Sequence, residues 1–191
     1  MGRMQRFLLL IDELSAFAGK LFAWCIVLLT GAVTYEVVMR YVFRHPSGWA
    51  YDVSYMLYGA LFLMAGAYAL SRNAHVRADF IYRHLAPRTQ AWLDLVMYFI
   101  AFFPGVLALN YAGYNFAKLA YMMNEHSAFS PTGPPVYPFK MLLPIAGFLL
   151  LLQGIAEVIR CIICIRTGRW PDRLHDVEEL EKQLIEQRSQ S

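Results

Sequence analysis

YPFKMLLPIAGFLLLLQGIAEVIRCIICI, residues 137 to 165, is apolar from end to end apart from Lys140, Gln153, Glu157 and Arg160. A helix needs about 20 mostly apolar residues to cross a bilayer, so this run spans one with residues to spare. Outward from it, three more windows meet the same requirement: Phe17 to Phe43, Trp49 to Ser71 and Ala91 to Met122. The whole chain has this character. Of its 191 residues, 58% are hydrophobic and only 16% charged, which is far from what a soluble domain of this length needs. The reading is all-α: a polytopic membrane protein with four transmembrane helices, a short N-terminal interfacial helix and a short C-terminal cytoplasmic helix. Residues 1–170 form the membrane domain and residues 171–191 the tail.

The N-terminus imitates a signal peptide, since Arg3 and Arg6 precede the apolar run FLLLI and Ala16-Phe17-Ala18 resembles a cleavage site. Asp12 and Glu13 end that run short of the usual hydrophobic length. Residues 4–16 therefore read as an amphipathic lead-in near the membrane interface, continuous with the first span and kept on the mature protein.

Orientation follows from the basic residues near the span ends. One side collects eleven: Arg3, Arg6, Lys20, Arg72, Arg77, Arg83, Arg88, Arg160, Arg166, Arg169 and Arg173. The other has four, namely Arg40, Arg44, Lys118 and Lys140. The imbalance places both termini and residues 72–88 in the cytoplasm, N-in and C-in. The net charge of +3 is then a topological signal spread along membrane edges, and it implies no nucleic-acid partner.

The third span, at about 48 Å if fully helical, exceeds a hydrocarbon core of about 30 Å. Pro104-Gly105 supplies an expected bend, because proline cannot donate to the carbonyl of Ile100. Trp49, Tyr51 and Tyr55 at one membrane edge and Tyr68, Tyr82 and Trp92 at the other read as interfacial belts. In the tail, Leu174, Val177, Leu180 and Leu184 lie on one helical stripe.

Motifs for chemistry are sparse. His75 and Asp79 share a helical face, but His84 lies on the far side, so no third metal ligand converges. All five histidines fall in loops or tail, which removes a membrane haem with axial histidines inside the helices. Cys161 and Cys164 form a CxxC within a helix at a reducing face, without a thioredoxin context. No cofactor and no metal is expected. Inside the spans, Glu36 and Arg40 are one turn apart, and Glu157 lies near Arg160, so each pair can neutralise itself locally. Asn110 and Gln153 are uncharged and suited to helix-to-helix contact. Four spans without internal repeats present no midplane crevice of the kind secondary transporters use. The residues thus support a membrane scaffold or accessory subunit whose faces meet lipid and another protein.

The order of pieces resembles the small membrane subunit of tripartite ATP-independent periplasmic (TRAP) transporters. The matching pieces are EVVMRYVF ending the first span, GWAYD opening the second, AYALSRNAHVRADFIY closing it, and PFKMLLPIAGFLLLLQGI in the fourth. Where that family commonly has two neighbouring acids after the tryptophan, this chain has Tyr51 before Asp52. The resemblance implies a bacterial inner-membrane subunit that braces a large membrane subunit, in a machine where a periplasmic substrate-binding protein delivers an organic acid and sodium usually drives uptake. Substrate and ion sites would then belong to the large subunit. The candidate partner-interface residues are Glu36, Arg40, Trp49, Asp52, His75, Arg77 and Asp79. Trp49 and Asp52 share a face and would jointly present a ring and a carboxylate to a neighbouring subunit, with Ser47 capping the helix behind them. The blander account makes Asp52 a dipole partner of the helix start and Trp49 an interfacial anchor. His75, Arg77 and Asp79 would shape the cytoplasmic loop or meet the partner. Two rivals stay open: an unrelated four-span accessory protein, and a membrane enzyme drawing its acid and base from loops, for example Glu125 with His126.

Overall fold

Apolar length sets the architecture, because a backbone in lipid must satisfy its own hydrogen bonds and does so here as helix. The computed structural model describes residues 3–72, 85–130 and 133–171, and four helical stretches in it are long and apolar enough to cross a membrane. The first is Met4–Tyr41, formed by α1 (Arg3–Ala23) and α2 (Cys25–Tyr41). Trp24, a single turn residue between them, keeps right-handed helical angles, so the chain runs on from one to the other without reversing. The second is α3 (Ala50–Ser71). The third, Pro87–Met122, runs through α4 (Pro87–Met97), a π-turn (Tyr98–Phe102) and α5 (Phe103–Met122). The fourth is α6 (Tyr137–Thr167). His75, Arg77, Asp79 and the C-terminal tail lie outside the described residues.

Prolines and glycines punctuate these helices where chemistry allows. Pro87 starts α4, where its missing N–H would be unpaired anyway. At Pro104 the helix continues: the N–H of Phe103 reaches back five residues to the carbonyl of Tyr98, and this wider turn sits directly before the proline. The expected local disruption at Pro104-Gly105 is therefore a π-turn, which keeps the span helical on both sides. Gly168 ends α6 at φ +76°, its N–H donating to the carbonyl of Cys164 at 2.7 Å.

α6 is the central strut, packed by α1, α3, α4 and α5. Leu8 and Ile11 of α1 meet Ala156; Met64 and Ala67 of α3 meet Ala146 and Leu149; Ala91 and Tyr98 meet Cys161 and Cys164. Small residues bring the helices close. A Cβ placed on Gly154 would lie 2.2 Å from Cε1 of Phe102, so only glycine admits that ring. By contrast, α2 buries none of its residues. Phe17, Trp24, Leu28, Tyr41, Phe62, Ile100 and Phe148 all stand on the outside. Apolar surface on that scale suits a bilayer and would be an aggregation hazard in water.

Residues 4–16 lie within α1, which runs on into the rest of the first span. Its inward face is packed on α3 and α6, burying Leu8, Ile11, Asp12, Ser15 and Ala16.

Candidate functional site

Two clusters of polar side chains hold the fold, one inside the bundle and one at the end where α3 begins. In the first, Gln153, Glu157 and Arg160 recur at helical spacing on one face of α6, opposite Asp12 and Ser15 of α1. Arg160 is the hub. Its Nη2 donates to Asp12 Oδ2, and its Nη1 donates to Glu157 Oε1 at 2.5 Å. Gln153 Nε2 donates to Asp12 Oδ1 at 2.8 Å and receives the hydroxyl of Ser15 on its own oxygen at 3.0 Å. All five side chains are buried. Glu157 and Arg160 therefore do more than neutralise each other locally, since the arginine also crosses to α1. Asp12, which in sequence merely ends an apolar run, is the acid it reaches. Gln153 joins helix to helix as its position suggested. Asn110 instead donates to the Val106 carbonyl of its own helix at 2.8 Å, with its amide lying over Gly147.

The second cluster begins with Glu36. Its Oε1 accepts from Arg40 Nη2 at 2.7 Å and Nε at 3.1 Å, and its Oε2 accepts from the Ser47 backbone N–H at 3.1 Å and from the Ser47 hydroxyl. Ser47 thus ties the α2–α3 turn to α2. It is not the cap of α3: the N-cap is Trp49, which makes no side-chain capping bond.

Trp49 and Asp52 part company. The indole is 41% exposed and stacks on Tyr35 at 5.7 Å between ring centroids. The Asp52 side chain is fully buried and accepts the hydroxyl of Ser127, from the loop between α5 and α6. The ring lies at the surface and the carboxylate behind it, so this chain does not offer the two side by side as the shared-face argument had them. Trp49 is the cap of α3, and Asp52 lies in its first turn.

In the same loop, Glu125 is held by Lys140 Nζ at 2.6 Å to each carboxylate oxygen, and that ammonium also sits 4.0 Å from the centroid of the Phe116 ring. His126 Nδ1 contacts the carbonyl of Asn124 at 2.7 Å. The adjacent acid and imidazole therefore serve separate local contacts. Among the described residues no group of three His, Cys, Asp or Glu side chains could hold a metal.

Asp12, Ser15 and Ser127 are the positions that sequence reasoning passed over. Their partners are far away in the chain, and no local motif marks them. The arrangement as a whole binds helices to one another.

The family model for tripartite ATP-independent periplasmic transporters, DctQ component, matches residues 29–164. No curated protein matches the chain.

Proposed function

The chain belongs to the DctQ-component family of the tripartite ATP-independent periplasmic transporters, and on that premise we propose that it braces the large transport subunit while that subunit moves an organic acid, driven by sodium. As a member it is the small membrane subunit of such a transporter, and the family is one of transporter subunits, not of enzymes. The observation that carries the bracing role is the fate of the polar groups within the spans. Asp12, Gln153, Glu157 and Arg160 are turned inward and bonded to one another, and the outward faces are left apolar. A path for an anion needs polar groups free to meet it, whereas a strut needs them to lock helices together.

In this reading the chain sits in the bacterial inner membrane in contact with lipid and with the large subunit, and a periplasmic substrate-binding protein engages the complex. Trp49 and the Glu36–Arg40 pair lie on the side offered to the partner, Asp52 supports that corner from inside, and His75, Arg77 and Asp79 act at the cytoplasmic loop. The purified chain in liposomes is expected to take up no organic acid with or without a sodium gradient, and adding the large subunit and binding protein is expected to restore uptake. Substrate-dependent uptake by this chain alone would end the bracing proposal.

The proposed orientation has residues 123–136 in the periplasm and both termini in the cytoplasm, following the basic-residue imbalance. In a background lacking Cys25, Cys161 and Cys164, a cysteine at the exposed Ala128 is expected to react with an impermeant maleimide from outside intact cells, and one at Arg169 only after permeabilisation. The reverse pattern overturns the orientation.

A further inference from the structure

α1 presents two unlike faces. One is buried against α3 and α6 and holds Leu8, Ile11, Asp12, Ser15 and Ala16. The other carries Phe7, Leu10, Leu14, Phe17 and Leu21, spaced alternately three and four residues apart, and every one of them is exposed. Trp24, 70% exposed, takes the next place in the series. This is the a and d pattern of a helix that packs along another helix, with Phe7, Leu14 and Leu21 at a. Arg6, Glu13 and Lys20 each stand immediately before an a residue, so a base, an acid and a base border the stripe in turn. All three are exposed, and among the described residues none has an ion-pair partner.

Lipid does not account for this stripe. The continuous stretch Met4–Tyr41 has 38 residues, about 57 Å of helix against a hydrocarbon core of about 30 Å, and a tilt of about 40° still leaves about 44 Å. α2, which buries none of its residues, is about 26 Å long and fills most of that core by itself. A helix lying in the interface carries its charges opposite its apolar face. Here the opposite face is inside the bundle, and the charges border the stripe. A second copy of the chain fits no better. Antiparallel pairing about Glu13 sets acid on acid and Arg6 on Lys20, and parallel pairing turns the charges toward Ile11 and Ala18, which are neutral, with Ile11 buried in its own chain. The occupant that fits is a helix of another chain, with apolar residues at heptad spacing and an acid, a base and an acid in line with Arg6, Glu13 and Lys20.

We propose that this occupant is a helix of the large subunit, docked along α1; the assignment rests on the bracing role proposed above. The test co-expresses the tagged full chain with its large subunit and places the photoreactive residue p-benzoylphenylalanine at Leu14 or Leu21. Irradiation in the membrane is expected to join the two subunits from both positions. In a second arm, the charge-swapped variant Glu13→Lys, Lys20→Glu keeps the net charge and leaves the buried Asp12–Arg160 pair alone. It is expected to recover about tenfold less large subunit, with the Tm of the isolated chain unchanged. Normal recovery of the large subunit, with products from Leu14 and Leu21 that contain only lipid or a second copy, overturns the docking face and leaves the bracing role standing; undiminished recovery in the charge swap does the same. Failure of the wild-type chain to recover the large subunit overturns both. The cross-links decide the matter if the swapped chain does not accumulate.

Discussion

Arg160→Met is expected to destabilise the chain by about 3 to 5 kcal/mol, the usual cost of removing one member of a buried charged set and stranding the rest. The substitution keeps most of the volume, so packing loss adds little. What it leaves behind is the buried carboxylate of Asp12, which keeps only the neutral Gln153 amide as a donor. The double variant Asp12→Asn, Arg160→Met removes the stranded acid and is expected to recover much of that loss, because the penalty belongs to broken pairing more than to the absence of ions. Unfolding in mixed micelles with increasing SDS, followed by far-UV circular dichroism, measures both. A loss under about 1 kcal/mol for Arg160→Met is the size of an exposed ion pair and would show that the network is solvated.

The second large effect concerns a contact without charge. Gly154→Ala puts a methyl group 2.2 Å from Cε1 and 3.0 Å from Cζ of Phe102, distances at which something must move. Alanine gains up to about 1 kcal/mol over glycine in a helix, and overpacking costs about 1 to 3 kcal/mol, so the net effect is destabilising. Gly105→Ala isolates the propensity gain, since nothing lies within 4 Å of the added carbon. It is expected to be neutral or stabilising in the same unfolding measurement, and Phe102→Leu combined with Gly154→Ala is expected to regain part of the loss. Equal effects of the two alanine variants would mean that the close approach of the π-turn to α6 carries no energy.

Span positions were legible because they depend on a local property. The expected windows at residues 49–71 and 137–165 meet helices at Ala50–Ser71 and Tyr137–Thr167, and the third differs only in starting at Pro87, a favourable first helical residue. The first window began at Phe17, whereas the helix runs from Met4. Asp12 and Glu13 lower the apolar count there without breaking the backbone, and one of them is charged for a reason that lies elsewhere in the chain. Pairing across the fold is what the linear pattern conceals. Arg160 had an obvious neighbour in Glu157, one turn away, and nothing local pointed to Asp12. Ser47 shows the same limit on a smaller scale: its position before α3 suggested a cap, but the Glu36 carboxylate competes for its hydroxyl and wins, since hydrogen bonds to an ionised acceptor are the stronger ones.

The Asp12–Arg160 pair also sets a timetable for biosynthesis. Its members are separated by 148 positions, and at ordinary translation rates of about 5 to 20 residues per second the arginine follows the aspartate by roughly 7 to 30 s. Throughout that interval α1 is in existence without the guanidinium that its acid is built to meet, and Gln153, its other donor, comes only slightly sooner. The seam between α1 and α6 therefore closes only once the last span is made, and a ribosome halted before α6 leaves a first helix whose acid lacks both donors that it meets in the finished bundle.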